Sequence, residues 1–188
     1  FSSCLTATSN TFVANANIFG KVYFPRLVLP ISIVVSNIIK FGIQFLLLLI
    51  AMGFYLFKGA NLHFGISWLF IPVLIFMMAL LGLGLGIIIS SLTTKYRDFT
   101  VLIGFAVQLL MYASPVVYPL SYLVNKDYSW IIKLNPLTPI IEAFRYALFS
   151  QGTFSIEYLG LSSLVIAFVF FVGLIMFNKV EKTFMDTV

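Results

Sequence analysis

Hydrophobic positions along this chain form long continuous runs rather than the alternating patterns of a half-exposed strand or an amphipathic surface helix. Four complete runs are about as long as the roughly 20 apolar residues that a helix needs to cross the hydrocarbon core. Backbone groups in lipid must form hydrogen bonds within their own segment, and barrel strands would alternate, so continuous runs predict helices. The predicted spans are 27–57, 66–92, 99–114 and 158–177, with residues 1–14 as the end of a further, partial span.

The composition agrees with an outer surface that faces lipid. Charged residues make up 9% and hydrophobic residues 61% of the 188 residues, whereas a soluble domain carries about 25% charged residues. The net charge of +5 is scattered between apolar runs, which favours membrane orientation over nucleic-acid binding, and the lone Cys4 excludes an intramolecular disulfide. Because the chain starts at Phe1 inside an apolar run, we expect one transmembrane domain, 1–188, that is the C-terminal part of a longer protein.

Lysine and arginine in the connecting segments predict the orientation, because these residues are more frequent in cytoplasmic loops. One side of the predicted topology carries the denser set, while Lys58 and a sparser group over a longer stretch lie on the other side. We therefore place the denser set in the cytoplasm: Lys21, Arg26, Lys95, Arg97, Lys179 and Lys182.

Residues 115–151 are too apolar for a plain loop and too often interrupted by proline for a pair of spans. Pro139 suits the first turn of a helix, and Pro136 favours an extended approach to it. Non-helical backbone is tolerated at membrane depth only where protein or a water-filled cavity covers it. The stretch therefore predicts a re-entrant pair of short helices at the outer face, with an ion pair between Glu142 and Arg145, three residues apart on one helical face.

A polar stripe interrupts the first complete span, where Asn37, Lys40 and Gln44 share one helical face. Lys40 stands about ten residues past Pro30, roughly 15 Å along a helix and close to mid-membrane. In one interpretation its amine extends toward the cytoplasmic surface and the amides bond neighbouring helices. In the other, the stripe faces a conduit in which a cation meets an anionic substrate. The sequence leaves both interpretations open. In the second interpretation, Lys40 and Gln44 are candidate residues of a substrate route.

Aromatic side chains are concentrated around the predicted re-entrant segment. The interfacial belt of tyrosine and tryptophan is the preferred explanation for Tyr128 and Trp130. Rings with a polar group are also suited to line a groove for sugars, whose C–H faces pack on aromatic rings. The candidates for a substrate route are Tyr112, Tyr118, Tyr122, Tyr146 and Phe149.

Few residues are arranged to carry catalysis. His63 is the only histidine, and the six acidic residues are spread over different segments, so we predict no catalytic residue and no metal site. GLGLG at 82–86 lacks the lysine and hydroxyl of a P-loop, so an ATP-driven function would need another chain to bind ATP. Gly82, Gly86 and Ser90 instead recur every four residues, which predicts the close approach of two helix backbones.

Four segments of the chain carry a family pattern: NANIFGKVYFPRLVLP (15–30), SLTTKYRDF (91–99), SPVVYP (114–119) and NPLTPIIEAFRYALF (135–149). Together, and in this order, they resemble the membrane subunits of bacterial ABC-2-type exporters, in the branch that exports O-antigen, capsule and teichoic-acid polysaccharides. The resemblance implies a six-helix transmembrane domain. This chain would lack its N-terminal interface helix and its first membrane helix.

The same resemblance implies the partners. Family members form dimers and bind two copies of a separate P-loop ATPase, which would hold ATP and magnesium and leave no cofactor in this chain. Lipid-linked polysaccharide would pass through a channel between the two subunits. KVYFPR and TTKYRDF would lie in cytoplasmic loops near the ATPase, and the implied contact residues are Lys21, Tyr23, Arg26, Lys95, Tyr96, Arg97 and Asp98.

Together these observations predict an all-α, multi-pass permease of the bacterial cytoplasmic membrane, without enzymatic activity of its own, that conducts polysaccharide for an ATP-driven exporter. A permease of the same fold for drugs or lipids is one alternative, favoured by a pathway too narrow or too apolar for hydrated polymer. A membrane-embedded glycan-modifying enzyme is another, and it requires a clustered acid, histidine or metal site. A structural scaffold would show no polar stripe facing a cavity.

Overall fold

The computed structural model describes residues 1–15, 25–58, 65–96, 98–116, 135–150 and 154–185. Within these ranges every regular element is helical, and the all-α prediction is confirmed. Besides a 3₁₀ helix (Ile66–Phe70), the elements are α1 (Ser2–Ser9), α2 (Thr11–Ala14), α3 (Val28–Phe57), α4 (Ile71–Lys95), α5 (Phe99–Ala113), α6 (Leu137–Phe149) and α7 (Ile156–Met185).

Helix length separates the membrane-crossing elements from the shorter ones. Three of the described helical stretches are long and apolar enough to cross a membrane: Val28–Phe57, Ser67–Thr93 and Ile156–Val180. α5 is apolar but has 15 residues, about 22 Å at 1.5 Å per residue, which is less than the roughly 30 Å hydrocarbon core. It ends at Ala113 because Ser114 is extended (φ −102°, ψ 145°), as the residue before a proline prefers.

The glycines of α4 bring it close to α1, as their four-residue spacing predicts. A Cβ added at Gly82 would lie 3.2 Å from Cys4 Sγ, and one at Gly86 would lie 2.5 Å from Thr8 Cβ. One further turn along, the Phe12 amide donates to Ser90 Oγ at 3.4 Å. Positions 4, 8 and 12 therefore match 82, 86 and 90, so the two segments run parallel, and the prediction of close packing is confirmed.

Ring contacts define two ends of this helical bundle. At the Phe12 end, the ring of Phe12 stacks on that of Phe177, with 4.8 Å between centroids. α2, α4 and α7 finish at this end, and α3 and α5 begin there. At the Tyr146 end, Tyr146 of α6 stacks on Phe154, just before α7, with 5.6 Å between centroids. The lysine and arginine distribution predicts that the Phe12 end is cytoplasmic.

α6 runs from inside the bundle toward the Tyr146 end. Leu137, at its start, belongs to a buried cluster with Leu81 and Ile166, each ten residues inside its own helix. Leu148, in its last turn, belongs to a cluster with Ile71, the first residue of α4. Such a course suits one arm of the predicted re-entrant pair, and the other arm, within 117–134, lies outside the described residues.

Burial is uneven among the long helices. In the most apolar stretch, 44% of the α4 segment is buried, compared with 17% for α7 and 6% for α3. α4 is therefore the centre of the described bundle, while α3 presents most of its surface to lipid or to another chain.

Candidate functional site

One face of α5 is exposed and points away from the other helices that the structure describes. Val101, Phe105, Gln108 and Tyr112 recur at intervals of four, three and four residues, so they form one stripe along the helix. All four are exposed, Val101 by 81% and Tyr112 by 60%. The buried residues of α5 lie on the other side, where Ile103 and Val107 share a cluster with Leu5 of α1. This row is called the α5 stripe below, and it presents an amide and aromatic rings on an exposed surface.

The predicted polar stripe of α3 lies beside the face with which this helix packs. Phe41 and Phe45 pack on Phe144 of α6, with centroid distances of 6.3 and 6.0 Å. Lys40 and Gln44 lie next to these rings in sequence but are exposed. No hydrogen bond or ion pair joins Lys40 to the described part of the chain.

A cavity of about 240 Å³ lies between α1, α3, α4 and α6. Its walls are apolar except for Asn37, whose amide nitrogen donates one hydrogen bond to Ile33 O at 2.9 Å. Walls of this kind suit a hydrocarbon chain better than a hydrated sugar, because a sugar would lose its hydrogen bonds to water there. Its other main lining residues are Val34, Phe41, Met78, Ala79, Ile141 and Phe144.

A polar anchor joins the end of α5 to α6. Arg145 Nη1 donates to Glu142 Oε1 at 2.8 Å, and Nη2 donates to the backbone oxygen of Pro115 at 3.0 Å. Asn135 Nδ2 donates to Ser114 Oγ at 3.0 Å. The sequence pattern indicated the two charged residues but missed Ser114 and Asn135. Their signal is that each polar residue directly precedes a proline, where a side chain often replaces lost backbone hydrogen bonds.

Of the four other residues predicted to line a substrate route, the structure describes two. Tyr146 is half-buried by its stack on Phe154, and Phe149 at the end of α6 is 46% exposed. Tyr118 and Tyr122 lie outside the described residues.

Four of the residues predicted to contact an ATPase are described, and they lie at or near the Phe12 end. Tyr96 is 51% exposed and Asp98 is exposed, whereas Arg26 is 6% exposed and packs within its own chain. Lys95 is the last residue of α4, at the same end. Lys21, Tyr23 and Arg97 lie outside the described residues. Tyr96 and Asp98 are thus the described candidates with side chains accessible to a partner.

Within the described ranges, no three His, Cys, Asp or Glu side chains come together in a group that could hold a metal ion. His63 lies outside these ranges. The described geometry therefore consists of surfaces and an anchor rather than a cluster of reactive groups.

Comparisons with known proteins all indicate the same family. The model of the ABC-2 type transporter family matches residues 1–149. Two proteins of Klebsiella pneumoniae, each named O-antigen export system permease protein RfbA, are 32% identical over 187 residues, which is 99% of this chain and 70% of each relative. A Myxococcus xanthus protein of the same name is 25% identical over 146 residues, 77% of this chain and 54% of that protein.

Proposed function

The chain belongs to the ABC-2 type transporter family, and from that membership we propose that it is the membrane subunit of an ATP-driven exporter of lipid-linked polysaccharide. In this proposal it resides in the bacterial cytoplasmic membrane as a homodimer. Two copies of a separate P-loop ATPase bind the ATP and Mg²⁺, and this chain supplies the route without a reaction of its own. The relatives named as O-antigen export permeases match nearly its whole length and support this cargo class.

The exposed α5 stripe is the observation that carries the proposal. A tyrosine, a phenylalanine and a glutamine in one row combine apolar rings with hydrogen-bonding groups. Sugars present both C–H faces and hydroxyls, so such a surface can follow a polymer without binding any one unit tightly. Two copies facing each other would line a route with two of these stripes.

Other route residues are assigned around that stripe. Lys40 and Gln44, exposed on α3, would meet anionic groups of the cargo from the side of the route. Tyr146 and Phe149 lie at the Tyr146 end, where the route would leave the membrane. Tyr118 and Tyr122 follow the end of α5 in sequence and belong to the same proposed exit.

Coupling to the ATPase is assigned to the Phe12 end. The exposed Tyr96 and Asp98 lie in the short connection between α4 and α5, so a displacement there would reach both the packed core and the proposed route. In sequence Lys95 precedes them and Arg97 stands between them, and Lys21 and Tyr23 would add contacts from the α2–α3 connection. Because Arg26 is buried, we assign it the role of holding that connection in place.

Purification of the full-length protein in mild detergent tests this proposal. A soluble P-loop ATPase is expected to co-purify in equal amounts, and its ATP hydrolysis should depend on the membrane subunit. Cells lacking the permease should retain polymer inside, and the wild-type protein should restore its export. A preparation without an ATPase, or normal polymer export without the permease, would contradict the proposal.

An ABC-2 permease for a lipid is the second candidate, and the apolar cavity favours it. A cavity of about 240 Å³ among α1, α3, α4 and α6 has room for part of a hydrocarbon chain. Vesicles that contain the purified exporter distinguish the two candidates. ATP-dependent movement of a fluorescent phospholipid, with no effect on polymer, would favour the lipid permease.

A further inference from the structure

The end of α5 leaves backbone carbonyl groups without helical partners. The last four carbonyls of a helix have no intrahelical donor, and α5 stops early because Ser114 is extended before Pro115. The Ser114 hydroxyl donates to Leu110 O at 2.8 Å and satisfies one of these groups. The carbonyls of Pro115 and Val116, which follow the break, accept hydrogen bonds from another element.

Arg145 of α6 supplies these donors. Its Nη2 donates to Pro115 O at 3.0 Å and to Val116 O at 3.3 Å, while Nη1 donates to Glu142 Oε1 at 2.8 Å. Glu142 is 2% exposed, so its carboxylate orients the guanidinium from the buried side. The rigid fork of arginine donors can serve both sides at once, which the compact ammonium of lysine does not reproduce.

A second link joins the same elements at the start of α6. Asn135 Nδ2 donates to Ser114 Oγ at 3.0 Å, and Asn135 Oδ1 accepts from the Leu137 amide at 3.0 Å. The end of α5 is thus held at two points, one just before α6 and the other in its third turn. The remainder of α5 adds little support, because its buried side chains are Ile103 and Val107.

We propose that Arg145 is a positioning residue that joins α5 and α6 into one moving unit. This inference rests on the proposed function, in which the α5 stripe lines the polymer route. One of the joined helices carries that stripe, and the other reaches the Tyr146 end. Separating them would break the charge-assisted hydrogen bonds from Arg145 to the two carbonyls that follow α5, whereas the bond to Glu142 lies within α6 and holds the guanidinium in place. The route therefore opens at this end by displacement of α5 and α6 as a pair.

A distance measurement tests the joint movement. Spin labels are placed on cysteines that replace the exposed Met111 and Phe149, in a Cys4→Ser background of the full-length exporter diluted with unlabelled protein. The wild-type distance between the labels should be the same without nucleotide and with bound ATP. Arg145→Lys should broaden it, because one ammonium cannot hold Glu142 and both carbonyls. A wild-type distance that changes with ATP, or an unchanged distribution in Arg145→Lys, would overturn the proposal.

Export measurements separate the carbonyl contacts from the ion pair. The exchange Glu142→Arg with Arg145→Glu keeps a pair at the same spacing but moves the guanidinium away from Pro115 and Val116. Both this exchange and Arg145→Lys should lower polymer export at least severalfold, with membrane insertion and ATP hydrolysis at the wild-type level. Lys58→Met, which removes an exposed cation at the same end, is the matched control and should export normally. Normal export by the exchange variant would show that export requires the ion pair but not the carbonyl contacts, and this result would contradict the proposal.

If the variant that combines Glu142→Arg with Arg145→Glu does not insert into the membrane, Ser114→Ala provides an independent test. It removes the acceptor of Asn135 while leaving both charges in place, so it should also broaden the distance between the labels. An unchanged distribution in Ser114→Ala and Arg145→Lys would contradict the two-point link. The comparison of these variants without nucleotide requires no ATPase or cargo, so its outcome is independent of whether the proposed function holds.

Discussion

At the scale of single residues, Lys40 connects local structure most directly to the proposed route. Its apolar neighbours Ile39 and Ile43 are 61% and 63% exposed, which suits a surface covered by lipid. An ammonium group at the centre of a membrane helix costs about 2.5–3.5 kcal/mol on insertion scales. No described side chain pairs with Lys40, so two ways to offset this cost are to be compared: water or an anion in the proposed route, or extension of the amine to the cytoplasmic membrane surface.

Moving the amine by one turn distinguishes a route residue from one that extends to the membrane surface. Ser36→Lys with Lys40→Ser keeps the charge on α3 but shifts it by about 6 Å along the helix, toward the Phe12 end. We expect polymer export per inserted molecule to fall about tenfold, which corresponds to about 1.4 kcal/mol. Lys40→Gln is the control for loss of charge. Export at or above the wild-type level in the shifted variant would instead indicate that the amine extends to the surface.

At the scale of elements, α4 is packed on two opposite sides through alternating glycines. Residues two apart on a helix point in nearly opposite directions, because each residue turns the helix by about 100°. Gly82 and Gly86 therefore face α1, while Gly84 faces α7, where an added Cβ would lie 3.0 Å from Phe170 Cα. Across the same contact, a Cβ on Gly173 would lie 2.9 Å from Gly84 O. The GLGLG sequence thus lets one helix approach two neighbours at backbone distance.

Two glycines of α7 provide a matched test of this packing. Gly173→Ala is expected to lower stability by about 1–3 kcal/mol, because backbone atoms must shift to admit the methyl group. Gly160→Ala meets nothing within 4 Å and should be neutral or stabilising by up to about 1 kcal/mol, since alanine favours the helix. Unfolding of the purified protein by sodium dodecyl sulfate measures both. Equal stability of the two variants would contradict the close α4–α7 contact.

At the scale of the whole molecule, the described chain leaves surfaces that a single copy does not cover. α4 is buried between α1 and α7, but the α5 stripe and nearly all of α3 remain exposed. In the proposed dimer, the stripes of two copies face each other across the route. α7, on a different side of α4, would face lipid with its exposed Leu164 and Phe168.

Cross-linking between copies tests that arrangement. A cysteine at Gln108 in a Cys4→Ser background should give a covalent dimer with a short thiol cross-linker in membranes. A cysteine at Leu164, 73% exposed on α7, is the control and should stay monomeric. Cross-linking at Leu164 but not at Gln108 would place the interface on α7 and remove the α5 stripe from the route.

The sequence by itself determined the membrane class, the helical elements and the family, because each depends on local patterns. Long uncharged runs allow little except helices in lipid, and α3 begins and ends within one residue of its hydrophobic run. The ion pair between Glu142 and Arg145 could also be predicted from the sequence, because side chains three residues apart on a helix are neighbours.

Only the tertiary structure decided which surfaces meet and which stay open. The contacts of Arg145 with Pro115 and Val116 and of Asn135 with Ser114 join residues 21 to 30 positions apart, beyond the reach of any local pattern. The burial of Arg26 and the exposure of Tyr96 were equally unpredictable from the sequence, since both residues stand in short segments that combine aromatic and basic residues. The physical reason is that exposure depends on the packing of distant helices, whereas helix formation in lipid depends on the segment itself.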